Sequence, residues 1–170
     1  YAEIRKVAAR MGVPERGEEM IARMKAAFAD LPPIPARRPT AVVLRPNGFT
    51  AGRGSVADEV LTRVGLDNLA ARLSTDRMGQ LSLEEIVMAR PDLLIINSAP
   101  GAAVSIADEM LHHPVLAPLR AEGRVVAVPT RLWACAGPEL AEAAARLAAA
   151  RMAIATRGGG GQGRNGQGYN

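Results

Sequence analysis

The chain has 170 residues and a formal net charge of +4 at pH 7; 48% of its residues are hydrophobic and only 3% are aromatic. This length suits one domain, and the aliphatic composition favours an α/β core over a core rich in aromatic rings. The arginines are scattered along the chain and few aromatic residues are present to stack on bases, so a nucleic-acid-binding module is disfavoured.

Two helices are predicted before the first strand. Residues 2–11 place apolar side chains on one helical face, and Gly12 is a typical residue to end a helix. Pro14 suits the first position of the next helix, whose apolar residues recur at helical spacing as far as Leu31. Three prolines between residues 32 and 35 then predict a stiff linker.

The rest of the chain alternates strands and helices. Short apolar runs predict buried strands at residues 40–44, 92–97 and 125–128. Capping patterns, prolines and helical spacing predict helices at residues 55–64, 82–90 and 105–112 and a long helix from residue 138, with a turn and a short helical piece over residues 65–73. This alternation predicts an α/β three-layer sandwich with a mainly parallel sheet.

The end of the chain has a different composition. From residue 158 it contains almost only glycine, glutamine, asparagine and arginine. Such a segment cannot bury enough apolar surface to fold, so residues 156–170 are predicted to be a disordered, glycine-rich tail.

A glycine-rich loop follows the first strand. Its Gly52 and Gly54, with Ala57, match the G-x-G-x-x-A dinucleotide pattern. That fingerprint also needs a glycine directly after the strand and an acidic residue ending a second strand about 20 residues later, and the sequence shows neither. The loop spans Gly48 to Ser55. It leaves one alternative function open, a small α/β enzyme that binds a nucleotide or a phosphate through this loop.

Other catalytic or metal-binding signals are weak. His112 and His113 are neighbours, and helical neighbours point about 100° apart, so they do not share one site. Cys135 is the single cysteine and has no fixed histidine partner in the sequence. We therefore predict no enzyme activity, no cofactor and no metal site. No run of about 18 apolar residues is present, so no membrane span is predicted.

A ligand site is predicted from residues that follow or end the predicted strands: Arg45, Asn47, Phe49, Arg53, Arg131 and Trp133. In a parallel sheet such segments gather at one edge, so guanidinium groups and aromatic rings converge on one crevice. Arginine donors suit carboxylate or catecholate oxygens, and rings cover the apolar surface of a chelate. The site therefore favours an anionic ligand. For Trp133, burial in the core is an equally good interpretation.

Several segments, taken in order, resemble a known family. They are GQLSLEEI at 79–86, ARPDLLII at 89–96, HPVL at 113–116, GRVVAVP at 123–129 and GP at 137–138. Their order and spacing resemble the C-terminal half of the iron-siderophore and cobalamin substrate-binding proteins of ABC importers, over roughly residues 1–155. The resemblance implies that residues 1–35 hold the end of an N-terminal lobe and a long inter-lobe helix, and that residues 36–155 form the C-terminal α/β lobe.

The same resemblance implies the location and partners of the chain. It implies a periplasmic, non-enzymatic protein that binds an iron-siderophore, haem or cobalamin-like metal chelate and docks on an ABC transporter permease dimer. The missing N-terminal lobe, and a signal peptide, would precede residue 1. The resemblance assigns Glu84 to an arginine pocket of the permease. From the residues alone, Glu84 complements the dipole of its own helix. The arginines favour an anionic siderophore over neutral cobalamin.

Overall fold

The structure is a computed structural model, and it describes residues 1–73, 79–98, 109–134 and 137–159. Its strands within these ranges are β1 (Thr40–Leu44), β2 (Asp67–Asn68), β3 (Leu93–Ser98) and β4 (Val125–Pro129). Its α-helices are α1 (Ala2–Arg10), α2 (Pro14–Ala29), α3 (Val56–Arg63), α4 (Ala70–Leu73), α5 (Leu83–Ala89), α6 (Glu109–His112), α7 (Ala117–Ala121) and α8 (Leu140–Gly159).

The described strands form one sheet in the order β2-β1-β3-β4, and every neighbouring pair is parallel. Ala41 lies opposite Leu93 in the register between β1 and β3, and Ile95 lies opposite Val126 between β3 and β4. The three predicted strands are confirmed. Parallel strands need crossover connections, and the helices that supply them cover both faces of the sheet.

Strand β1 shows why the fold has three layers. Successive side chains of a strand point to opposite faces. Ala41 and Val43 therefore enter one core, with residues of α2, α3 and α8. Val42 and Leu44 enter a second core, with residues of α4, α5 and α6. All four side chains are fully buried, which confirms the predicted sandwich.

Two glycines determine how α1 and α2 pack. Gly12 adopts a φ of 71°, a left-handed conformation that ends α1, and Pro14 begins α2. Gly17 lies where α2 crosses α1, because a Cβ there would meet the Cβ of Ala8 at 2.6 Å. The two predicted N-terminal helices are therefore confirmed and packed against each other.

The structure differs from the sequence prediction in three connections. Residues 65–73 contain the two-residue strand β2 as well as the short helix α4. The predicted turn after His113 is a 3₁₀ turn, Pro114–Leu116, followed by helix α7. Helix α8 continues to Gly159, beyond the predicted start of the tail at residue 156, as a last turn added to its alanine-rich body although glycine is a poor helix former. Residues 160–170 lie outside the described part of the chain, as do residues 105–108 of the predicted helix before His112.

None of the helices in the described part of the chain is long and apolar enough to span a membrane.

Candidate functional site

The carboxyl ends of the parallel strands define one edge of the sheet, which we call the binding edge. Strand β1 leads there into residues 45–55, the β1 loop, and β4 leads into residues 130–134, the β4 loop. Strand β3 lies between them. With neighbouring strands about 4.8 Å apart, the two loops start about 10 Å from each other. Ligands of open α/β sheets bind at this kind of edge.

The first half of the β1 loop is a tight turn. Pro46–Gly48 forms a 3₁₀ turn in which Asn47 has a φ of 59°. Asparagine tolerates this left-handed conformation better than most residues. The backbone N–H of Arg45 donates to the carbonyl of Phe49 at 2.8 Å and closes the turn. Asn47 therefore lies exposed at the tip of the loop.

The loop is also tied to the segment that begins at Gly79. The Thr50 N–H donates to the Gly79 carbonyl at 2.9 Å, and the Leu81 N–H donates to the Gly48 carbonyl at 2.8 Å. The buried Thr50 hydroxyl donates to the carbonyl of Val43, at 2.6 Å, below the loop. These bonds fix the backbone on both sides of Phe49. That residue is 40% exposed.

The arginines of the β1 loop have different surroundings. Arg53 is exposed and its Nη2 donates to the Ala71 carbonyl at 3.4 Å. Arg45 is half-buried, and this burial lowers the pKa of its guanidinium. Arginine stays protonated in proteins even so. Both positive charges therefore remain on the β1 loop.

Arg131 supplies a third guanidinium from the β4 loop. Its side chain is 65% exposed, and Nη1 lies 3.9 Å from Oε2 of Glu142. Arg146 binds the same carboxylate more closely, at 2.9 Å. The long distance and the shared acceptor leave Arg131 able to bind another anion.

Trp133 belongs to the β4 loop, but its side chain is packed in the core, as its second interpretation predicts. Only 3% of it is exposed. Its Nε1 donates to Oδ1 of Asn97 at 3.2 Å, and the Thr130 hydroxyl donates to the same oxygen at 2.9 Å. Because the ring is covered, we remove Trp133 from the candidate ligand contacts. The other five candidates, Arg45, Asn47, Phe49, Arg53 and Arg131, lie on the two loops of the binding edge.

The glycine pattern does not form an open phosphate cradle. The Gly54 N–H donates to Oδ2 of Asp58 at 2.8 Å, and the Asp58 N–H donates to Oγ of Ser55 at 3.1 Å. A carboxylate of the chain itself therefore occupies the start of α3, where a phosphate would bind in a nucleotide site. This arrangement argues against the alternative of a nucleotide- or phosphate-binding enzyme.

Sequence reasoning missed two buried asparagines near the binding edge. Asn97, near the end of β3, accepts the two bonds from the β4 loop described above. Asn68, on β2, donates to the carbonyl of Ala51 in the β1 loop at 2.8 Å. For Asn97 the available signal was a polar amide at the end of the apolar run 93–96, which in a buried place has to be hydrogen-bonded. Asn68 follows Asp67 and shows no such signal.

The remaining candidates lie elsewhere. Glu84 is exposed in the first turn of α5, and Met88, one turn later, is 82% exposed.

His112 and His113 are exposed, and Nδ1 of His113 accepts from the Val115 N–H at 3.2 Å. No group of three or more metal-binding side chains occurs in the part of the chain that is described, and Cys135 lies outside that part.

A groove of about 680 Å³ lies at the opposite edge of the sheet, beside Pro39 and Asp92. The Arg124 guanidinium in this groove donates to the Asp92 carbonyl at 3.2 Å and to Glu122 at 2.9 Å. Arg124 therefore ties the starts of β3 and β4 together. The volume alone does not make this groove the functional site, because it lies at the amino ends of the strands, whereas open α/β sheets bind ligands at the carboxyl ends.

Residues 1–132 of the chain match the model of a protein family whose description is "Periplasmic binding protein". This chain belongs to the periplasmic binding protein family. The resemblance found in the sequence is thereby confirmed, and the family implies a periplasmic location.

Solved structures agree with this fold. The periplasmic heme-binding protein RhuT from Roseiflexus sp. RS-1, in apo form, is 29% identical with a TM-score of 0.74, over 91% of this chain and 62% of that one. A periplasmic heme-binding protein from Pseudomonas aeruginosa is 25% identical with a TM-score of 0.63, over 88% of this chain and 58% of that one.

An ABC-type Fe³⁺-hydroxamate transport system from Saccharomonospora viridis DSM 43017 has a TM-score of 0.74 at 20% identity, over 88% of this chain and 54% of that one. At that identity the match shows the fold alone. The chain spans less than two thirds of each of these solved proteins. Their names describe binding and transport, and none describes an enzyme. No curated protein sequence compared with this chain matches it.

Proposed function

We propose that this periplasmic binding protein chain is the C-terminal lobe of a substrate-binding protein that delivers an anionic metal chelate to an ABC importer. The observation that carries the proposal is the binding edge. Three guanidinium groups, from Arg45 and Arg53 on the β1 loop and Arg131 on the β4 loop, lie at this edge, and Phe49 on the β1 loop is 40% exposed.

The chemistry of the edge selects the ligand class. Guanidinium groups donate in a fork that matches carboxylate and catecholate oxygens. An exposed phenyl ring covers the apolar part of a chelate. Iron-siderophore complexes with acidic groups and haem with its propionates both combine these two features. Cobalamin is neutral overall and offers the arginines a single phosphodiester, so it fits three guanidinium groups less well.

The proposal includes a second lobe. The binding edge lies on the surface of this chain, and the solved relatives are longer than it. A preceding N-terminal lobe, joined through α2, would close over the edge and supply the other half of the contacts. In the same proposal Glu84, on the exposed face of α5, docks on the permease and takes no part in ligand binding.

Ligand titration tests the proposal. Haemin, a ferric hydroxamate, a ferric catecholate and cobalamin are added separately to the complete protein with both lobes, and tryptophan fluorescence or absorbance is followed. We expect saturable binding of at least one anionic chelate with a Kd of about 1 μM or lower. Binding of cobalamin alone would reject the anionic ligand, and binding of no chelate would reject the function.

A further inference from the structure

We infer that Asn68 and Asp58 act together as positioning residues that hold the β1 loop in its ligand-binding shape. Asn68 is the second residue of β2 and only 5% of it is exposed. Its Nδ2 donates to the carbonyl of Ala51 at 2.8 Å and to Oδ1 of Asp58 at 2.9 Å. One buried amide therefore joins the loop to the first turn of α3.

The carboxylate of Asp58 extends this network to the other side of Arg53. Its Oδ2 accepts from the N–H of Gly54 at 2.8 Å. The backbone is thus held at Ala51 on one side of Arg53 and at Gly54 on the other. Gly54 has a φ of 73°, so this part of the loop needs a conformation that few residues adopt. Arg53 therefore lies between two backbone positions that hydrogen bonds hold in place.

The hydrogen-bonding pattern specifies an amide at position 68. A carboxamide has two N–H donors and one carbonyl acceptor. Both bonds from the nitrogen are used as described, and Oδ1 accepts from the N–H of Ala70 at 3.2 Å. A carboxylate at this place donates no bond, and an apolar side chain neither donates nor accepts. The buried carbonyl of Ala51 would then lose its partner.

The position of Asn68 depends on the short strand β2. Asn68 pairs with Ala41 in the parallel register between β2 and β1. The next residue, Leu69, donates its N–H to the Ala41 carbonyl at 2.9 Å. A strand of two residues adds little to the sheet itself, but it places the amide directly beneath the β1 loop.

The role in ligand binding rests on the proposed function, because it acts through Arg53 and the rest of the loop. The shape of the loop itself can be measured without a ligand. We therefore test the inference with two readouts on the complete protein: hydrogen exchange of the amides of residues 51–55, and the Kd of haemin or, where haemin does not bind, of the ferric hydroxamate.

The decisive variants are N68D and N68D/D58N. In N68D two carboxylates face each other beside a carbonyl, so we expect faster exchange at residues 51–55 and a Kd raised about tenfold at pH 7.5, the effect of losing a buried hydrogen bond or two. In N68D/D58N the amide at position 58 donates to the carboxylate at position 68 and its carbonyl still accepts from Gly54. We expect this double variant to recover part of both losses, with protection restored at Gly54 and not at Ala51, whose carbonyl still faces a group that donates no bond.

Acidification gives an independent readout on N68D. Two facing carboxylates share a proton when the pH falls, and the shared proton replaces the bond lost between positions 68 and 58. The affinity of N68D relative to the parent should therefore recover between about pH 7.5 and pH 5, at a temperature where both proteins stay folded. The matched control is D67N, which changes the neighbouring carboxylate of β2, a group that pairs with Arg72 of α4; we expect parental exchange and affinity.

Several outcomes would overturn the inference. Parental exchange at residues 51–55 in N68D would do so, as would a double variant that folds but recovers no protection. If N68D does not fold, D58N replaces it, because the amide there keeps one acceptor for the two donors and should give a smaller loss of protection at Gly54. If the parent binds no chelate, the proposed function fails, while the exchange measurements still decide whether Asn68 and Asp58 position the loop.

Discussion

Single side chains decide the charge of the binding edge. Arg53 and Arg131 are exposed on two loops, and Arg45 is half-buried between the sheet and solvent. Their positions follow from the chain order of strands, because residues after parallel strands meet at one edge. Their strengths as anion ligands do not follow from that order. Only the structure shows that Glu142 lies 3.9 Å from Arg131 and is shared with Arg146.

We predict that R131A weakens binding of an anionic chelate to the complete protein by about threefold to tenfold, the effect of a partly exposed charge pair. The loss should shrink when the salt concentration rises from about 50 mM to 500 mM, because salt screens exposed charges. Titrations of parent and variant at both concentrations measure it. The matched control is R37A, an exposed arginine at the opposite edge of the sheet. An unchanged Kd for R131A at low salt would reject the anionic binding edge.

At the scale of elements, helix α5 begins where its capping pattern in the sequence predicts. The Ser82 hydroxyl accepts from the Glu85 N–H at 3.2 Å, and the Glu85 carboxylate accepts from the Ser82 N–H at 2.7 Å. Leu81, just before the cap, and Ile86, in the first turns of the helix, are both buried. The helix has only seven residues, so its start depends strongly on this cap.

We predict that S82A lowers the free energy of unfolding by about 1 kcal/mol, because it leaves a helix N–H without its acceptor. E85A should cost a similar amount, and the double variant should cost less than the sum, since the two bonds form one capping box. Urea unfolding followed by circular dichroism measures these changes. E84A is the matched control, as Glu84 joins neither bond, and it should stay within about 0.5 kcal/mol of the parent. An additive double variant would contradict the reciprocal cap.

At the scale of the whole molecule, two surfaces of the chain have separate proposed roles. The binding edge lies at the carboxyl ends of the strands. Glu84 and the exposed Met88 share the outer face of α5, since residues four apart on a helix are neighbours. A substrate-binding protein needs this separation, because it has to hold its ligand while it docks on the permease.

We predict that E84R leaves chelate affinity and thermal stability of the complete protein unchanged but reduces permease-dependent uptake at saturating chelate at least about tenfold, because a like charge would then face the proposed arginine pocket of the permease. Uptake of radioactive iron by cells that carry the transporter measures it. The control is E15R, which reverses another exposed glutamate in a first helical turn, on α2. Normal uptake with E84R would remove Glu84 from the docking surface.

The sequence by itself determined the elements whose signals are local. The apolar runs of β1, β3 and β4, the proline at the start of α2 and the cap of α5 each act within a few residues, so periodicity and capping rules were enough to place them. The parallel order of these strands then put the loop arginines at one edge. The family resemblance rested on the same segments, and the match over residues 1–132 confirms it.

Only the tertiary structure decided the features that depend on partners far away in the chain. Strand β2 is two residues long and exists only through its pairing with β1. Trp133 is a core residue because Asn97, 36 residues earlier, accepts its indole N–H. Arg151 is buried because it donates to the Pro33 carbonyl, 118 residues earlier, and ties the proline linker to α8. Hydrogen bonds of this kind join groups that no sequence period relates. The sequence therefore does not show that Trp133, Arg151 or Asn68 is buried; the tertiary contacts decide it.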